Sequence, residues 1–174
     1  MSVHQCDIAI VGGGAAGIAV AASLKKRQPQ LSITLIDPAE KHYYQPGWTM
    51  VGRGLFKPQS TERATASLIP KGIKWLAQAV TAFDPMNNTL SLDNDDSVQY
   101  EQCVVAAGLT LNWGAVESLA ENLGKNGVTS NYRYDTAPYT WDLVKSLKAG
   151  RAIFTQPPMP IKCAGAPQKA MYLS

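Results

Sequence analysis

The sequence predicts an α/β protein built around a mostly parallel β-sheet, and three observations support this prediction. Two short apolar runs, Cys6–Val11 and Ser32–Asp37, have the length and the β-branched content of buried parallel strands. An alanine-rich segment with a basic end, Ala15–Arg27, lies between them and has the composition of a helix. Strand, helix and strand together occupy roughly the 30 residues that a βαβ unit needs. The first part of the chain is therefore expected to form one such unit.

A glycine-rich turn joins the first predicted strand to the helix. Gly12–Gly17 matches the pattern G-x-G-x-x-G, and Asp37 ends the second strand 20 residues after Gly17. In this pattern Gly12 allows the tight turn, Gly14 lets the backbone approach a pyrophosphate, and Gly17 lets the helix pack closely on the strand. The strand, the helix and the acidic residue around the turn favour this interpretation over an ordinary glycine turn.

The same turn predicts how a ligand would bind. The amides near Ala15 and Ala16 point at phosphate groups from the helix N-terminus, where the helix dipole favours negative charge. Asp37 would accept hydrogen bonds from the hydroxyl groups of an adenosine ribose. These features predict a Rossmann-like, doubly wound dinucleotide-binding domain. They do not distinguish FAD from NAD, because both ligands present the same pyrophosphate and ribose.

The segment after the second predicted strand is unusual. His42–Phe56 is rich in aromatic residues and glycine and is longer than an ordinary connection, which predicts an ordered functional loop. Tyr43, Tyr44 and Trp48 could line a flavin or substrate pocket, or they could simply pack the loop. The sequence leaves both interpretations open.

The middle of the chain predicts further strands. Ile73–Phe83 has the pattern of one or two strands, and Thr89–Leu92 and Ser97–Tyr100 form a predicted β-hairpin around an acidic turn. Cys103–Ala107 predicts another buried strand, which Gly108 ends. A β-hairpin excursion followed by a strand and a glycine resembles the flavoproteins with two dinucleotide-binding domains, although alanine stands here in the middle of their usual Ala-Thr-Gly. This resemblance favours FAD and adds Gly108 to the predicted site.

Flavoproteins that take electrons from NAD(P)H carry a second glycine fingerprint, and it is missing where this chain would have it. Tyr139–Lys148 predicts a helix, and Arg151–Thr155 predicts the first strand of a second dinucleotide-type domain. Prolines and a lysine-flanked cysteine, Cys163, follow in place of the glycines. The predicted domains are an FAD-binding domain over residues 1–112, a connecting segment over 113–149, and the start of a truncated second Rossmann-like domain over 150–174.

Cys163 is the predicted reactive residue of this last segment. A thiol reacts as the thiolate, and neighbouring cations or a helix N-terminus favour that form. Lys162 is adjacent, and a helix that begins near Pro167 would direct its positive end towards the sulfur. The alternative is a buried structural cysteine, which is how we interpret Cys6 and Cys103 inside their predicted strands. Cys163 lies outside any apolar strand, which favours the reactive role.

Composition and charge exclude several classes of protein. The formal net charge of +3 comes without a basic patch, which argues against nucleic-acid binding. Three cysteines at wide spacing predict neither a disulfide framework nor a zinc site, and no metal site is expected. No signal peptide and no membrane-spanning apolar run are visible, so a cytoplasmic location is expected. Lys169–Ser174 resembles the uncapped start of a helix, so we expect the natural chain to continue.

Three segments resemble the sulfide:quinone oxidoreductases, in particular the branch that includes the mitochondrial enzymes. They are Ile161–Ser174 around the cysteine, Lys41–Gly52 in the aromatic loop, and Ser130–Tyr132. The resemblance extends over all 174 residues. It implies that Cys163 is one of two redox cysteines. These take up sulfide, or another small sulfur substrate, and pass electrons through FAD to a membrane quinone.

The resemblance also implies further site residues. It matches five positions to FAD contacts, namely Ala15, Ala16, Asp37, Gln45 and Val80. Gln45 would face the isoalloxazine ring through its amide, and Val80 would meet the adenine through its backbone. The second redox cysteine, the end of the flavin site and the membrane-contact region would lie beyond the last residue. The 174-residue chain alone is therefore expected to be inactive. Peripheral contact with the inner membrane is expected of the whole protein, and homo-oligomerisation is left open.

The complete predicted site has one catalytic residue, Cys163. The predicted cofactor-binding residues are Gly12, Gly14, Ala15, Ala16, Gly17, Asp37, Gln45, Val80 and Gly108. Two alternatives remain open. One is an NAD(P)H-dependent flavin reductase of the same fold, against which the missing second fingerprint argues. The other is an inactive dinucleotide-binding fragment or module with no chemistry of its own.

Overall fold

The computed structural model describes residues 2–174, which form two compact units. The first unit contains the chain up to His42 together with Arg63–Thr110, and the second contains Tyr43–Glu62 and Leu111–Ser174. The first unit ends close to the predicted boundary at residue 112, but most of the predicted functional loop belongs to the second unit. The predicted division at residues 149 and 150 stays a prediction.

Eight strands and five α-helices occur within the described residues. In chain order they are β1 (Val3–Val11), α1 (Ala15–Arg27), β2 (Ile33–Ile36), β3 (Lys41–Tyr43), α2 (Trp48–Val51), β4 (Glu62–Ala64), β5 (Ile73–Leu76), β6 (Val80–Asp84), β7 (Thr89–Leu92), β8 (Ser97–Val105), α3 (Leu119–Asn122), α4 (Ala137–Ser146) and α5 (Gly165–Leu173). Four short 3₁₀ turns lie between them, at Gln45–Gly47, Pro58–Thr61, Thr65–Ser67 and Trp113–Ala115. The helix α1 has the predicted bounds, and both strands that flank it are present.

A six-stranded sheet in the order β5-β2-β1-β8-β7-β6 forms the centre of the first unit. The strands β5, β2, β1 and β8 are parallel, whereas β7 pairs antiparallel with both β8 and β6. The predicted α/β fold of Rossmann type, with its β-hairpin excursion, is thereby confirmed. The segment Ile73–Phe83, predicted as one or two strands, contains β5 and most of β6.

The register of the parallel strands aligns their carboxyl ends. Val11 lies opposite both Ile36 and Val105, and Ile36 lies opposite Leu76. Open α/β sheets bind ligands outside the carboxyl ends of their strands, so a dinucleotide site is expected at this edge. The glycine turn follows β1 here, and Asp37 follows β2.

Small side chains let α1 pack directly on the sheet. Gly17 and Ala21 are its buried residues, and Ala21 shares a core cluster with Ile10 of β1 and Leu35 of β2. Ile10 and Leu35 are both 0% exposed. Burying an aliphatic side chain of this size contributes about 1.5–3 kcal/mol, so these strands and α1 stabilise the turn between them.

One prediction about the sheet is wrong. The predicted strands Ser97–Tyr100 and Cys103–Ala107 are a single strand, β8, which ends at Val105. Glu101 and Gln102 lie exposed within this strand. Polar side chains outside the core do not interrupt the backbone hydrogen bonds with β1, so the strand continues through them. The end of β8 is also less buried than predicted, with Val105 63% exposed.

The predicted functional loop is partly regular and packs through Trp48. This side chain is only 7% exposed, and its ring contacts those of Tyr43 and Tyr134. Its indole N–H donates a hydrogen bond to Thr61 Oγ1 at 3.2 Å. Trp48 therefore stabilises the interior of the second unit, whereas Tyr44 is 60% exposed.

Two predictions in the second unit need correction. The helix α4 spans Ala137–Ser146 rather than Tyr139–Lys148, because Pro138 fits the first turn of a helix, where no amide N–H is needed. The predicted strand Arg151–Thr155 is wrong, since no strand forms there in the described chain and Ile153 is 81% exposed. An apolar run becomes a strand only where a neighbouring strand accepts its hydrogen bonds, and the prolines that follow discourage pairing.

The last helix, α5, begins at Gly165, slightly before the predicted start, and Pro167 lies in its first turn. Within residues 2–174, no helix combines the length and the apolar content that crossing a membrane requires. The same residues contain no cluster of three His, Cys, Asp or Glu side chains placed to hold a metal ion.

Candidate functional site

Close backbone contacts shape the glycine turn after β1. Gly12 has a φ of +108°, a backbone conformation that residues with a side chain rarely adopt. A Cβ atom there would lie 2.4 Å from the carbonyl oxygen of Ala106. A Cβ atom at Gly17 would lie 1.8 Å from the carbonyl oxygen of Gly12. Both positions therefore need glycine for reasons internal to the fold. This agrees with the roles predicted for them in the tight turn and in helix packing.

Gly14 has a different environment. It is the N-cap of α1, with an extended backbone that any residue can adopt, and a Cβ atom there would meet no described atom within 4 Å. The fold itself therefore does not require glycine at this position. Open space in front of the backbone is what a pyrophosphate needs in order to approach it closely.

The N-terminus of α1 is suited to an anion. Among residues 2–174, no side chain caps this helix and no acidic residue occupies its first turn. The amides of Ala15 and Ala16 lie in that turn, whereas the Ile18 amide donates to the Gly14 carbonyl at 3.0 Å. The positive end of the helix dipole adds to these donors. Backbone donors without a competing acid are the arrangement that binds phosphate groups at helix N-termini.

Asp37 connects the end of β2 to the glycine turn. Its carboxylate accepts hydrogen bonds from the Gly13 amide at 2.5 Å and from the Ala39 amide at 2.7 Å. Its own amide donates to the Leu76 carbonyl at 3.1 Å, and its carbonyl accepts from Trp75 Nε1 at 3.0 Å. The sequence predicted only a ribose contact for Asp37 and missed the bond to Gly13. Each carboxylate oxygen accepts two hydrogen bonds, so capacity remains for a ribose hydroxyl.

The two other predicted residues of the first unit are Gly108 and Val80. Gly108 follows β8 with a φ of +76°, and no described atom lies within 4 Å of its Cβ position. The Ala106 amide donates to the Val11 carbonyl at 2.7 Å, which holds the chain leaving β8 beside the end of β1. Val80 begins β6 and packs on the core cluster that contains Ile36, the last residue of β2. Contact of either residue with a cofactor stays a prediction.

These residues fit the adenosine diphosphate part of FAD. The uncapped helix supplies amide donors for the phosphates, Gly14 leaves room for them, and Asp37 supplies an acceptor for the ribose. The structure brings all three features together at the carboxyl edge of the parallel strands. Sequence reasoning could group these residues because they lie at fixed offsets along one βαβ unit, and their contact with a cofactor stays a prediction.

Cys163 belongs to the second unit and lies just before α5. It is exposed, and its backbone is left-handed, with a φ of +61°. Its carbonyl accepts a hydrogen bond from the Ala166 amide in the first turn of α5, at 3.0 Å. An exposed thiol at the start of a helix is accessible to a small sulfur compound, which is what the predicted reactive role requires.

Gln45 contacts the segment that carries Cys163. The Lys162 ammonium donates a hydrogen bond to Gln45 Oε1, and Gln45 Nε2 donates to the Tyr132 carbonyl at 3.3 Å. The Tyr132 hydroxyl donates in turn to the carbonyl oxygens of Lys162, at 2.7 Å, and Cys163, at 3.3 Å. We call Gln45, Tyr132 and Lys162 the cysteine clamp. The predicted contact of Gln45 with the flavin stays a prediction.

Tyr132 is the member of the cysteine clamp whose role the sequence did not predict. The only feature of the sequence that pointed to Tyr132 was the resemblance of Ser130–Tyr132 to the sulfide:quinone oxidoreductases. Burial and the proximity of Cys163 raise the pKa of the Tyr132 hydroxyl, so it keeps its proton and remains a donor at neutral pH.

A small cavity of about 70 Å³ lies beside the cysteine clamp. Cys163, all three clamp residues and Asn131 are among its lining residues. The buried amide oxygen of Asn131 has no hydrogen-bond partner among residues 2–174. The cavity therefore combines a thiol with polar groups, one of which is an acceptor that no protein donor satisfies.

The three thiols are expected to react at different rates. Burial raises the pKa of Cys6 and of Cys103, which lowers their thiolate fraction, whereas Cys163 is exposed. With limiting iodoacetamide at neutral pH, we expect Cys163 to be alkylated about ten times faster than the other two, or more. Peptide mass spectrometry at successive times measures the three rates. In urea-unfolded protein all three should react alike, and equal rates in the folded protein would contradict the assignment.

Comparison with known proteins agrees with this geometry. Residues 6–138 match the pyridine nucleotide-disulphide oxidoreductase family. The chain belongs to this family. Its members are FAD-binding flavoproteins, which confirms the predicted cofactor and the predicted class of enzyme, an oxidoreductase.

Individual relatives in this family are sulfide:quinone oxidoreductases. The mitochondrial one of Dictyostelium discoideum is 48% identical over 168 residues, which are 95% of this chain and 37% of the relative. The mitochondrial one of Mus musculus is 37% identical over 98% of this chain and 38% of its own length. The solved sulfide:quinone oxidoreductase structure from Aquifex aeolicus has a TM-score of 0.68 at 27% identity, with 82% of this chain and 32% of that chain covered. The resemblance is confirmed, and the chain spans well under half of these relatives.

Proposed function

We propose that the protein containing this chain is a sulfide:quinone oxidoreductase that uses FAD and Cys163. In this proposal Cys163 takes up the sulfur of sulfide, and two electrons pass through FAD to a quinone. The observation that carries the proposal is an exposed cysteine just before α5. The names of the relatives that are 48% and 37% identical support it.

The chemistry proposed for Cys163 is thiol–disulfide exchange with sulfide. Hydrosulfide attacks a disulfide between Cys163 and the second cysteine that the family resemblance implies. A new sulfur–sulfur bond forms at Cys163, the old one breaks, and the second cysteine leaves as a thiolate that carries the electron pair. An acceptor thiol or a second hydrosulfide then takes the outer sulfur from Cys163, and the two thiolates left behind re-form the disulfide as they lose two electrons. FAD, when bound, would supply the acceptor for this pair and make it available to a quinone.

The residues around Cys163 support such a step. The positive end of α5 and the Lys162 ammonium place positive charge in the segment that hydrosulfide, an anion, must approach. The exposed position of Cys163 lets a small anion reach the sulfur. In the first unit, the amides of the glycine turn and Asp37 would hold the pyrophosphate and the ribose of FAD.

The activity is proposed for the whole protein, because this chain spans only 37% and 38% of the two relatives. Quinones of electron-transfer chains dissolve in the membrane interior. The proposal therefore includes peripheral contact between the whole protein and a membrane.

Reduction of the flavin by different donors tests this function. The whole protein with FAD bound is mixed anaerobically with sulfide and, in a separate trial, with NADH, while flavin absorbance is followed. We expect sulfide to bleach the flavin rapidly, a water-soluble quinone to restore the absorbance, and NADH to have no effect. Bleaching by NADH and not by sulfide would overturn the proposal and support a nicotinamide-linked flavin reductase.

A further inference from the structure

We propose that Tyr132 is a positioning residue for Cys163, whose hydroxyl fixes the left-handed backbone that presents the thiol. This inference deepens the proposed function and rests on it for the role of the cysteine. Its structural basis, however, is independent of FAD, sulfide and quinone. It can therefore be tested on the reactivity of the thiol alone.

The backbone of Cys163 needs an external restraint. A φ of +61° lies in the left-handed region, which residues other than glycine, asparagine and aspartate rarely adopt. A cysteine has no side-chain amide or carboxylate with which to stabilise this conformation locally. Such backbone geometry persists only where surrounding contacts determine it. Contacts to the carbonyl groups on either side of the Cys163 Cα atom are the relevant ones.

The Tyr132 hydroxyl makes contacts of this kind. It shares its single proton in a bifurcated bond between the Lys162 carbonyl oxygen, at 2.7 Å, and the Cys163 carbonyl oxygen, at 3.3 Å, so it bridges the peptide groups before and after Cys163. These bonds join positions 30 and 31 residues apart in the sequence. The Ala166 amide also binds the Cys163 carbonyl, but it belongs to the same local segment and cannot anchor that segment to the rest of the unit.

Tyr132 is itself held in place. Its carbonyl accepts a hydrogen bond from Gln45 Nε2 at 3.3 Å, and its amide donates to Ser130 Oγ at 3.1 Å. The Lys162 ammonium binds the other end of the Gln45 amide. The cysteine clamp thus forms a closed ring of hydrogen bonds that starts and ends at Tyr132. Such a ring can transmit a fixed position to the Cys163 backbone.

Loss of the hydroxyl should change the direction of the thiol. Rotation about the N–Cα bond of Cys163 moves its Cβ and sulfur atoms relative to the preceding peptide group. Without the bridge, the residue can relax to the ordinary negative φ region, which moves the sulfur relative to the cavity that Cys163 and the clamp residues line. The thiol should then become less reactive although the cysteine remains.

The test is the alkylation rate of Cys163 in Tyr132→Phe, measured anaerobically on the whole protein with FAD bound, after its cysteines have been reduced with a phosphine and the phosphine removed. Iodoacetamide is applied between about pH 6 and pH 10, which spans ordinary thiol pKa values, and labelling is followed by peptide mass spectrometry. We expect the rate at neutral pH to fall about five-fold, the effect of losing one hydrogen bond, and the pH profile to change. Tyr139→Phe is the matched control, since the Tyr139 hydroxyl accepts from the Gly127 amide at 3.1 Å in the same unit. That variant should keep the wild-type rate.

Cys103 in the same samples separates positioning from unfolding. It is half-buried, so a variant that unfolds exposes it and labels it faster, whereas a positioning effect slows Cys163 alone. An unchanged or faster rate at Cys163 in Tyr132→Phe would overturn the inference. If Tyr132→Phe slows alkylation while sulfide fails to bleach the wild-type flavin, only the proposed function fails. If the alkylation rate of Cys163 is unchanged in Tyr132→Phe while sulfide bleaches the wild-type flavin, the inference fails and the proposed function stands.

Discussion

Replacing Cys163 by serine is expected to abolish the reduction of the flavin by sulfide. A serine hydroxyl is not ionised near neutral pH, and oxygen cannot form the disulfide and persulfide bonds that carry the sulfur. Loss of a group that takes part in bond formation lowers rates by about 10³-fold or more. The rate is measured by anaerobic rapid mixing of sulfide with the whole protein while flavin absorbance is recorded.

Cys103→Ser is the matched control for this variant. Cys103 lies in β8 of the first unit, half-buried against the core, and has no part in the proposed reaction. Its replacement should leave the rate of flavin reduction within about two-fold of the wild type, as expected for a residue that takes no part in the reaction. An undiminished rate in Cys163→Ser, with FAD content equal in both variants, would show that sulfide reaches the flavin without this thiol.

Gly17→Ala is expected to destabilise the first unit severely. The new Cβ atom would lie 1.8 Å from the Gly12 carbonyl oxygen, which is backbone and cannot rotate away. Relief requires α1 to move off β1, which would open the core cluster that Ala21 shares with Ile10. Overpacking at such a position falls in the exceptional class of about 4 kcal/mol or more lost from the free energy of unfolding. Urea unfolding followed by circular dichroism measures the change.

Gly14→Ala separates this steric effect from cofactor binding. A Cβ atom at Gly14 meets no described atom within 4 Å. The free energy of unfolding should therefore fall by only about 1 kcal/mol, because alanine is disfavoured at the N-cap of a helix. The methyl group would occupy the space through which a pyrophosphate approaches the backbone, so FAD content after purification should fall. If Gly14→Ala unfolds as readily as Gly17→Ala, the explanation from backbone contact is wrong.

The success of the sequence-based predictions follows the range of the interactions involved. The bounds of α1, the flanking strands and the roles of Gly12 and Gly17 were predictable, because one βαβ unit contains every residue that determines them. The predicted strand Arg151–Thr155 failed because an apolar run does not reveal whether a partner strand is present. The predicted interruption of the strand between Tyr100 and Cys103 was wrong, because two consecutive polar residues inside a strand resemble a turn in the sequence.

The cysteine clamp marks the limit of sequence reasoning for the site. Its bonds join Gln45 to Lys162 across 117 residues and Gln45 to Tyr132 across 87 residues. No spacing rule connects such positions, so Gln45 was predicted from family resemblance alone and was assigned to the flavin. Only the folded second unit brings its amide to the segment that carries Cys163.

The hydrogen bond between Gly13 and Asp37 has a consequence for how a cofactor is captured. Both partners belong to the protein. The backbone of Asp37 makes two further hydrogen bonds, one to the Leu76 carbonyl and one to the Trp75 indole N–H. The shape of the glycine turn is thus set when the chain folds, and its conformational entropy is lost at that stage. A rigid turn of this kind would bind with little reorganisation, so we expect association with a dinucleotide to depend on encounter and desolvation. Loosening the loop at Asp37 would weaken affinity without removing a single phosphate donor.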